Sequence, residues 1–412
     1  MNIWTTLFLT LFTSCNAFGQ TLQQADSLFQ LRAYSESAQA YADFFQSLPG
    51  DANPESYYQA AVAYSQLGQS DPAIEWLQEA VKRGLDDVYL SQLRFDLHFY
   101  PIRHTEAWKT YLNAHLDVFE REAQTISHPD IRQELLVLWE TDQYYRQLIF
   151  GKYQGRAPRE LGTATEAVDR FNAIRLEQII EEIGWPDHTK VGRDGAHAAW
   201  NIIQHAVFNP PLMKKCLNLM KTGWENGKVD GVDYAYLYDR FQAVCYLGPQ
   251  DYGIVRRVPI RDEHVVEERR KAVGFTQSLK EYLGTYTPIT KAEHQQHLRE
   301  SEEKYRVNRE KGSALYEAGQ FEEAREHYQL LMSCYEHLTI EDIYRYACLK
   351  SRLDTPRSRF QAIRYIRSLS ARGYHDIEQL KQEPAFENIR QEKGFQEVLA
   401  IIRKYNLPAN EQ

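Results

Sequence analysis

Apolar residues recur three and four positions apart over most of the chain, the spacing of one face of an α-helix, and glycine and proline break the pattern at intervals. The spacing predicts helices over 129–149, 164–183, 193–208, 212–224, 232–246 and about 262–282. Gly184-Trp185-Pro186 and Asn209-Pro210-Pro211 are firm helix stops, and the Gly/Arg/Pro-rich stretch 151–163 reads as a loop. After Gly248-Pro249-Gln250 the pattern changes, and Ile254-Val255 with Val258-Pro259-Ile260 suits a short hairpin or an extended loop. The fold class expected is mainly α, with one small irregular or β element.

The two ends of the chain repeat. Residues 20–50 and 56–86 align at an offset of 36: Ala25 falls on Ala61, Leu28 on Tyr64, Ser37 on Ala73, Tyr41 on Leu77 and Phe44 on Ala80. Small residues recur where the helices of a hairpin approach closely, and large ones where hairpins interlock. This grammar resembles the tetratricopeptide repeat, with Ala61, Tyr64, Gly68, Ala73 and Ala80 on its signature positions. Gly312, Leu315, Gly319, Phe321, Ala324 and Tyr328 fit one more copy, and Ala347, Ala362, Ile366 and Leu369 a looser one. Lys82-Arg83-Gly84, Ile102-Arg103, Trp108 and Leu112 also match Ala371-Arg372-Gly373, Ile389-Arg390, Phe395 and Leu399, a helix end followed by a capping helix. The resemblance implies binding of a protein or peptide in a groove of stacked hairpins. Two hairpins rarely bury enough apolar surface alone, so each array is expected to pack on something else, which leaves a purely bracing role as the alternative.

The stretch between the ends lacks the repeat. Its helix 193–208 is apolar nearly all round, which predicts burial, yet His197, Asn201, Gln204 and His205 form one polar stripe on it. Buried polar groups need partners. Asp142, Gln143 and Arg146 share one face of an earlier helix, and Asp239-Arg240 is a second source. Two readings stand. The cluster is a structural network pinning helices together, or it is a pocket in which Asp239 or Asp142 orients His205 as a general base and Arg240 or Arg146 clamps an anion.

The order of residues here resembles a bacterial domain of unknown function, family 6624. The resemblance rests on Leu138-Trp139 with Asp142-Gln143 and Arg146; Asp169 and Asn172; Gly184-Trp185-Pro186; Val191-Gly192; Ala198-Ala199-Trp200 with Gln204-His205-Ala206; and Tyr234-Ala235-Tyr236-Leu237 with Asp239-Arg240. It continues in Gly248, Gln250, Tyr252-Gly253, Arg269-Arg270 and Val273-Gly274. It implies a helix-rich domain of exported or cytosolic bacterial proteins, with no known activity. Gln250 and Tyr252, within these motifs, join the ligand-binding candidates. The family pattern continues after Tyr252-Gly253 with Thr, where this chain has Ile254.

Composition narrows the function classes. In 412 residues, 43% are hydrophobic and 25% charged, enough for real cores. The net charge of -9 argues against nucleic acid and anionic membrane surfaces as partners. Residues 1–19 carry no charge, and Trp4 to Phe12 are apolar but too short to span a bilayer. Ala17-Phe18-Gly19 then suits signal cleavage, which predicts a periplasmic or secreted protein, with lipidation at Cys15 as the alternative. No later run is long enough for a transmembrane segment. Cys216, Cys245, Cys334 and Cys348 lie in apolar helical stretches and are expected as buried thiols. No metal-ligand spacing, phosphate loop, nucleophile elbow or dinucleotide fingerprint occurs, so no metal or cofactor is expected. The expected organisation is a signal over 1–19, repeats with cap over 20–115, a central helical domain over 116–286, and repeats with cap over 287–412. The reading is an exported scaffold that binds a protein or peptide; the rival is an enzyme, a hydrolase, in the central domain.

Overall fold

The computed structural model describes residues 22–47, 53–85, 91–153, 156–283 and 286–406. The expected signal segment and Cys15 lie outside these residues. The architecture is mainly helical. By contacts the chain divides into one unit of Met1–Val168 with Thr189–His197, and a second of Asp169–His188 with Ala198–Gln412.

The first unit opens with two helical hairpins. Helix α1 (22–30) pairs with α2 (Tyr34–Ser47), and α3 (Pro54–Gln66) with α4 (Ser70–Lys82). Asn53 caps α3, its side chain accepting from the Ser56 amide. Gly68 takes the turn between α3 and α4 at φ +73°, a left-handed value that favours glycine. Ala60, Ala61, Ala73 and Ala80 are fully buried, which lets the helices approach, and Phe45 stacks on Tyr57 at 4.1 Å between centroids. After two 3-10 turns (Gln92–Arg94 and Leu97–Ile102) comes α5 (Glu106–Ala123), which buries Trp108 stacked on Phe99 at 4.8 Å.

Helix α6 (Pro129–Arg146) completes this unit with the early part of α7 (Arg159–Ile183) and residues 189–197 of α8 (His188–His205). Gly192, at φ +73°, kinks α8. Just past it, Asp194 takes both prongs of the Arg132 fork, at 2.8 Å each, with both side chains 1% exposed. Arg94 adds a third donor to Asp194 at 3.2 Å, and Glu120 takes the outer side of Arg132.

The second unit holds α9 (Pro210–Glu225), α10 (Gly231–Arg240) and a π-helical turn, Phe241–Tyr246, that ends on Leu247 in the left-handed region. Next come α11 (Val266–Ala272), α12 (Leu279–Leu283) and four long helices, α13 (Lys291–Glu317), α14 (Phe321–Leu331), α15 (Ile340–Arg352) and α16 (Pro356–Ala371). Helices α13 with α14, and α15 with α16, pair as hairpins. A Cβ on Gly312 of α13 would lie 3.1–3.2 Å from His327 and Tyr328, so that crossing is close and favours glycine. Thr290, Thr339 and Thr355 start α13, α15 and α16 with reciprocal capping boxes. The closing segments α17 (Ile377–Gln382) and α18 (Lys393–Asn406) bury Phe386, Ile389 and Phe395. Phe99, Ile102 and Trp108 are likewise buried in the first unit.

Three expectations need correction. The helix expected over 262–282 breaks into a 3-10 turn, α11 and α12, because Gly274 at φ +99° ends α11. No hairpin forms over 254–260: among the described residues one parallel bridge joins Gln250 and Ile260, and the irregular reading holds. Helix α7 starts at Arg159, inside the stretch read as a loop. The four cysteines at 216, 245, 334 and 348 are free and buried. Among the described residues no helix is long and apolar enough to cross a membrane.

One ion pair in the first unit has a pH signature. Burial pushes the Asp96 carboxyl up, but hydrogen bonds from the His98 ring, the Tyr58 hydroxyl and the His98 amide prevail and hold it below its ordinary 3.8. Burial pulls His98 down, and its hydrogen bond to Asp96, at 2.9 Å, lifts it above 6.5. A depressed carboxyl stabilises above its unfolded value and loses this as pH falls. A raised imidazole stabilises below its unfolded value and loses this as pH rises. The stability gap between wild type and Asp96→Asn/His98→Gln, followed by chemical denaturation, should therefore be widest between 3.8 and 6.5 and narrow on both sides.

Candidate functional site

The candidate residues fall in both units. In the first, Asp142 is buried on α6, and Arg146, one turn on, reaches its Oδ1 at 2.7 Å. Gln143 donates to the other carboxylate oxygen at 2.8 Å. The spacing of four put both charges on one helix face, as the sequence implied. The ring of His197 meets Trp139 edge-on, 5.2 Å between centroids. These four residues are thus engaged with their own neighbours in the first unit.

In the second unit the remaining candidates separate into two groups. One is a clasp. The Asp239 carboxylate, 0% exposed near the end of α10, accepts the backbone N–H groups of Asp251 (2.8 Å), Tyr252 (3.1 and 3.2 Å) and Ile254 (3.1 Å). Burial lifts this carboxyl to about 6, while the three amides pull it down. Gln250, 2% exposed, is the second buried arm. Its Nε2 donates to the carbonyls of Val255 (2.8 Å) and Val258 (2.7 Å), and its Oε1 accepts from the Val255 amide at 2.7 Å. The third arm is Arg270 on α11, 1% exposed, which donates to the Tyr252 carbonyl at 2.8 Å and lies over the Phe275 ring at 4.1 Å. Burial lowers its pKa. Tyr252 is itself buried, and burial raises its hydroxyl pKa. Asp239 and Gln250, read from sequence as site residues, are therefore occupied in holding the main chain of 250–258, and Tyr252 is part of the segment that is held.

The other group is polar and half-buried. Arg240 donates from Nε to the Gln204 carbonyl at 2.6 Å, tying α10 to α8. Asn201 lies one turn before His205 on α8, and both are half-buried. A carboxylate oxygen of Asp169, on α7, and a ring nitrogen of His205 lie within 4.8 Å of each other. The acid that the structure sets beside His205 in this unit is thus Asp169, and the oxygens of Asp239 are spent on amides.

Sequence reasoning missed the parts played by Arg270 and Asp169. Arg270 lies in the helix expected over 262–282 and in the Arg269-Arg270 pair of the family resemblance, within the charged run Glu267-Glu268-Arg269-Arg270-Lys271. Nothing in that run says which of its arginines turns inward. Asp169 belongs with Asn172 to the family resemblance, but nothing local pairs it with His205.

Residues 129–287, less than half of the chain, match the model of a family of unknown function (DUF6624). Residues 54–83 match a tetratricopeptide repeat, which covers α3 and α4. No protein of curated function is matched by the chain. Among solved structures, the crystal structure of the P58(IPK) TPR domain is similar at 13% identity over 94% of this chain and 98% of that chain, with a TM-score of 0.17. At that score the likeness says nothing about this chain's fold.

The clasp makes a direct prediction. Asp239→Asn keeps the shape but turns one acceptor oxygen into a donor that faces a buried N–H. It should cost about 2–4 kcal/mol of stability. In hydrogen exchange the amides of 251, 252 and 254 should be protected in wild type and exchange quickly in the variant. Unchanged protection would mean that the clasp does not hold the loop.

Proposed function

We propose that the protein is an interaction scaffold of the bacterial cell envelope, which holds a protein or peptide partner on its helical hairpins. The observation that carries this is the tetratricopeptide repeat at 54–83, a unit whose stacked helices commonly serve as a docking surface. The hairpins α13–α14 and α15–α16, with glycine or alanine at their close crossings, are read as a second array of the same kind. The division into repeats with cap (20–115), a central domain (116–286) and repeats with cap (287–412) belongs to this proposal. So does export by the apolar segment before Gln20. In the first unit Leu31 and Tyr100 are 78% and 68% exposed, apolar side chains that a partner can cover.

A second reading is favoured by one observation, the approach of Asp169 to His205 in the second unit. In it Asp169 orients His205 as a general base for a hydrolysis, and the Arg240 guanidinium holds an anionic group of the substrate.

The two readings separate experimentally. Leu31→Asp/Tyr100→Ala should leave the helical signal unchanged and weaken retention of an envelope partner by about tenfold. Partner retention that ignores this change removes the scaffold reading. His205→Ala should leave partner binding intact. If a panel of ester, phosphoester and peptide substrates shows turnover that His205→Ala lowers by two orders of magnitude or more, about what a general base contributes, the enzyme reading takes over.

A further inference from the structure

The clasp described above holds a loop that points its own charges outward. Residues 250–261 leave Gln250 and return beside it: the Gln250 amide donates to the Pro259 carbonyl at 2.9 Å, and the Arg261 amide to the Gln250 carbonyl at 2.8 Å. Within this ring a turn closes from the Val258 amide to the Val255 carbonyl at 3.4 Å, which puts Arg256 and Arg257 at its two central positions. Arg257 has φ +66°, a left-handed value. The third position of such a turn usually takes glycine or asparagine, because a side chain there costs about 1–2 kcal/mol.

The conformation persists because the loop is fixed from three sides. Asp239 holds the amides of 251, 252 and 254, Gln250 spans the base of the turn, and Arg270 holds the Tyr252 carbonyl. Gly253, at φ +77°, lies so close to Leu279 that a Cβ would come within 2.7 Å of it. Ile260 anchors the returning strand among Val266 and Leu279. A rigid base thus carries an exposed tip.

The tip is cationic. Arg256 and Arg257 are exposed, and among the described residues neither guanidinium makes an ion pair or hydrogen bond. Arg261 beside them is shared with Asp251 at 3.6 Å, and Asp262 and Glu263 follow in sequence. Many other arginines of the described residues pair with carboxylates, as Arg170, Arg306 and Arg345 do, whereas Arg256 and Arg257 present two adjacent unpaired forks on one turn of a chain whose net charge is -9. A preorganised guanidinium binds a carboxylate through two parallel hydrogen bonds and loses little freedom in doing so.

We propose that the 254–260 loop is a preorganised contact for an acidic segment of a partner protein, with Arg256 and Arg257 each engaging a carboxylate and the half-buried Val255 and Val258 flanking them. Two compact charges on a chain that is acidic as a whole suit a pair of carboxylates. Nucleic acid and anionic lipid call for extended basic surfaces, which the net charge opposes. The proposal rests on the interaction reading above, and adds a contact outside the hairpins.

The test uses the full chain and a fluorescein-labelled peptide with adjacent glutamates between leucines, followed by anisotropy. Wild type should bind this peptide, more weakly as salt rises, and should bind the glutamine counterpart at least about tenfold more weakly. Arg256→Glu/Arg257→Glu should lower affinity for the glutamate peptide by about tenfold or more. Arg257→Gly relieves the left-handed residue and should be at least as stable as wild type, yet bind less well, which separates loss of contact from loss of fold. Leu31→Asp/Tyr100→Ala should bind the peptide as wild type does. No binding, equal binding of the glutamine peptide, or full affinity in the charge-reversed chain would overturn the proposal. So would tighter binding to a single-stranded oligonucleotide or to phosphatidylserine vesicles, or self-association that the charge reversal abolishes. Partner retention on the hairpins without any peptide binding would sink this loop's role and leave the scaffold reading standing.

Discussion

A carboxylate withdrawn from water has to be given donors, and Asp239 finds them in the main chain. Its side chain leaves α10 and collects the amides of 251, 252 and 254. Tyr252 is then held twice, its N–H by a buried anion and its carbonyl by the buried cation Arg270. Much of the irregular part of the second unit follows from that arrangement. The chain cannot continue as helix through 250–261 while its amides face Asp239, and it cannot drift outward while Gln250 occupies the carbonyls of the turn. An irregular segment is normally the place where backbone groups turn to water. Here three side chains take the place of a sheet.

The first unit solves a similar problem with charge on both sides. Arg132 and Asp194 are each removed from solvent, and neither would be tolerable alone. Their fork-to-carboxylate geometry fixes residues 193–197, just past the kink at Gly192, against α6. Around Tyr57, by contrast, the fold relies on apolar stacking, where Phe45, Trp76 and Tyr57 meet within 6 Å.

The helical architecture was legible because its signals are local. Ala61, Ala73 and Gly68 announce a tight hairpin by size and by backbone freedom, and the threonines before α13, α15 and α16 announce their starts. The break at Gly274 was missed because the residues on either side keep a helical spacing, and one glycine is often absorbed within a helix. The candidate site was read by residue type, and type is ambiguous. Asp239 stood out as a partner for the buried polar stripe and Gln250 by its place in the family motifs. Their partners turn out to be backbone amides and carbonyls, and main chain is the one partner that a sequence does not display. The pairing of Asp142 with Arg146 was legible because it spans one turn of helix. The approach of Asp169 to His205 depends on where two helices cross, which no local pattern encodes.

The sealed thiols carry a further consequence. Cys216, Cys245, Cys334 and Cys348 sit inside helical packing with no disulfide between them, and burial lifts the pKa of three of them, Cys216, Cys245 and Cys348. A thiol kept protonated and out of reach neither attacks nor is attacked. Cys216, Cys245 and Cys348 are therefore out of reach of oxidants in the native fold, and they react only in molecules that have opened. The rate at which these sulfurs are modified is a clock for that opening, built into the chain without any added label.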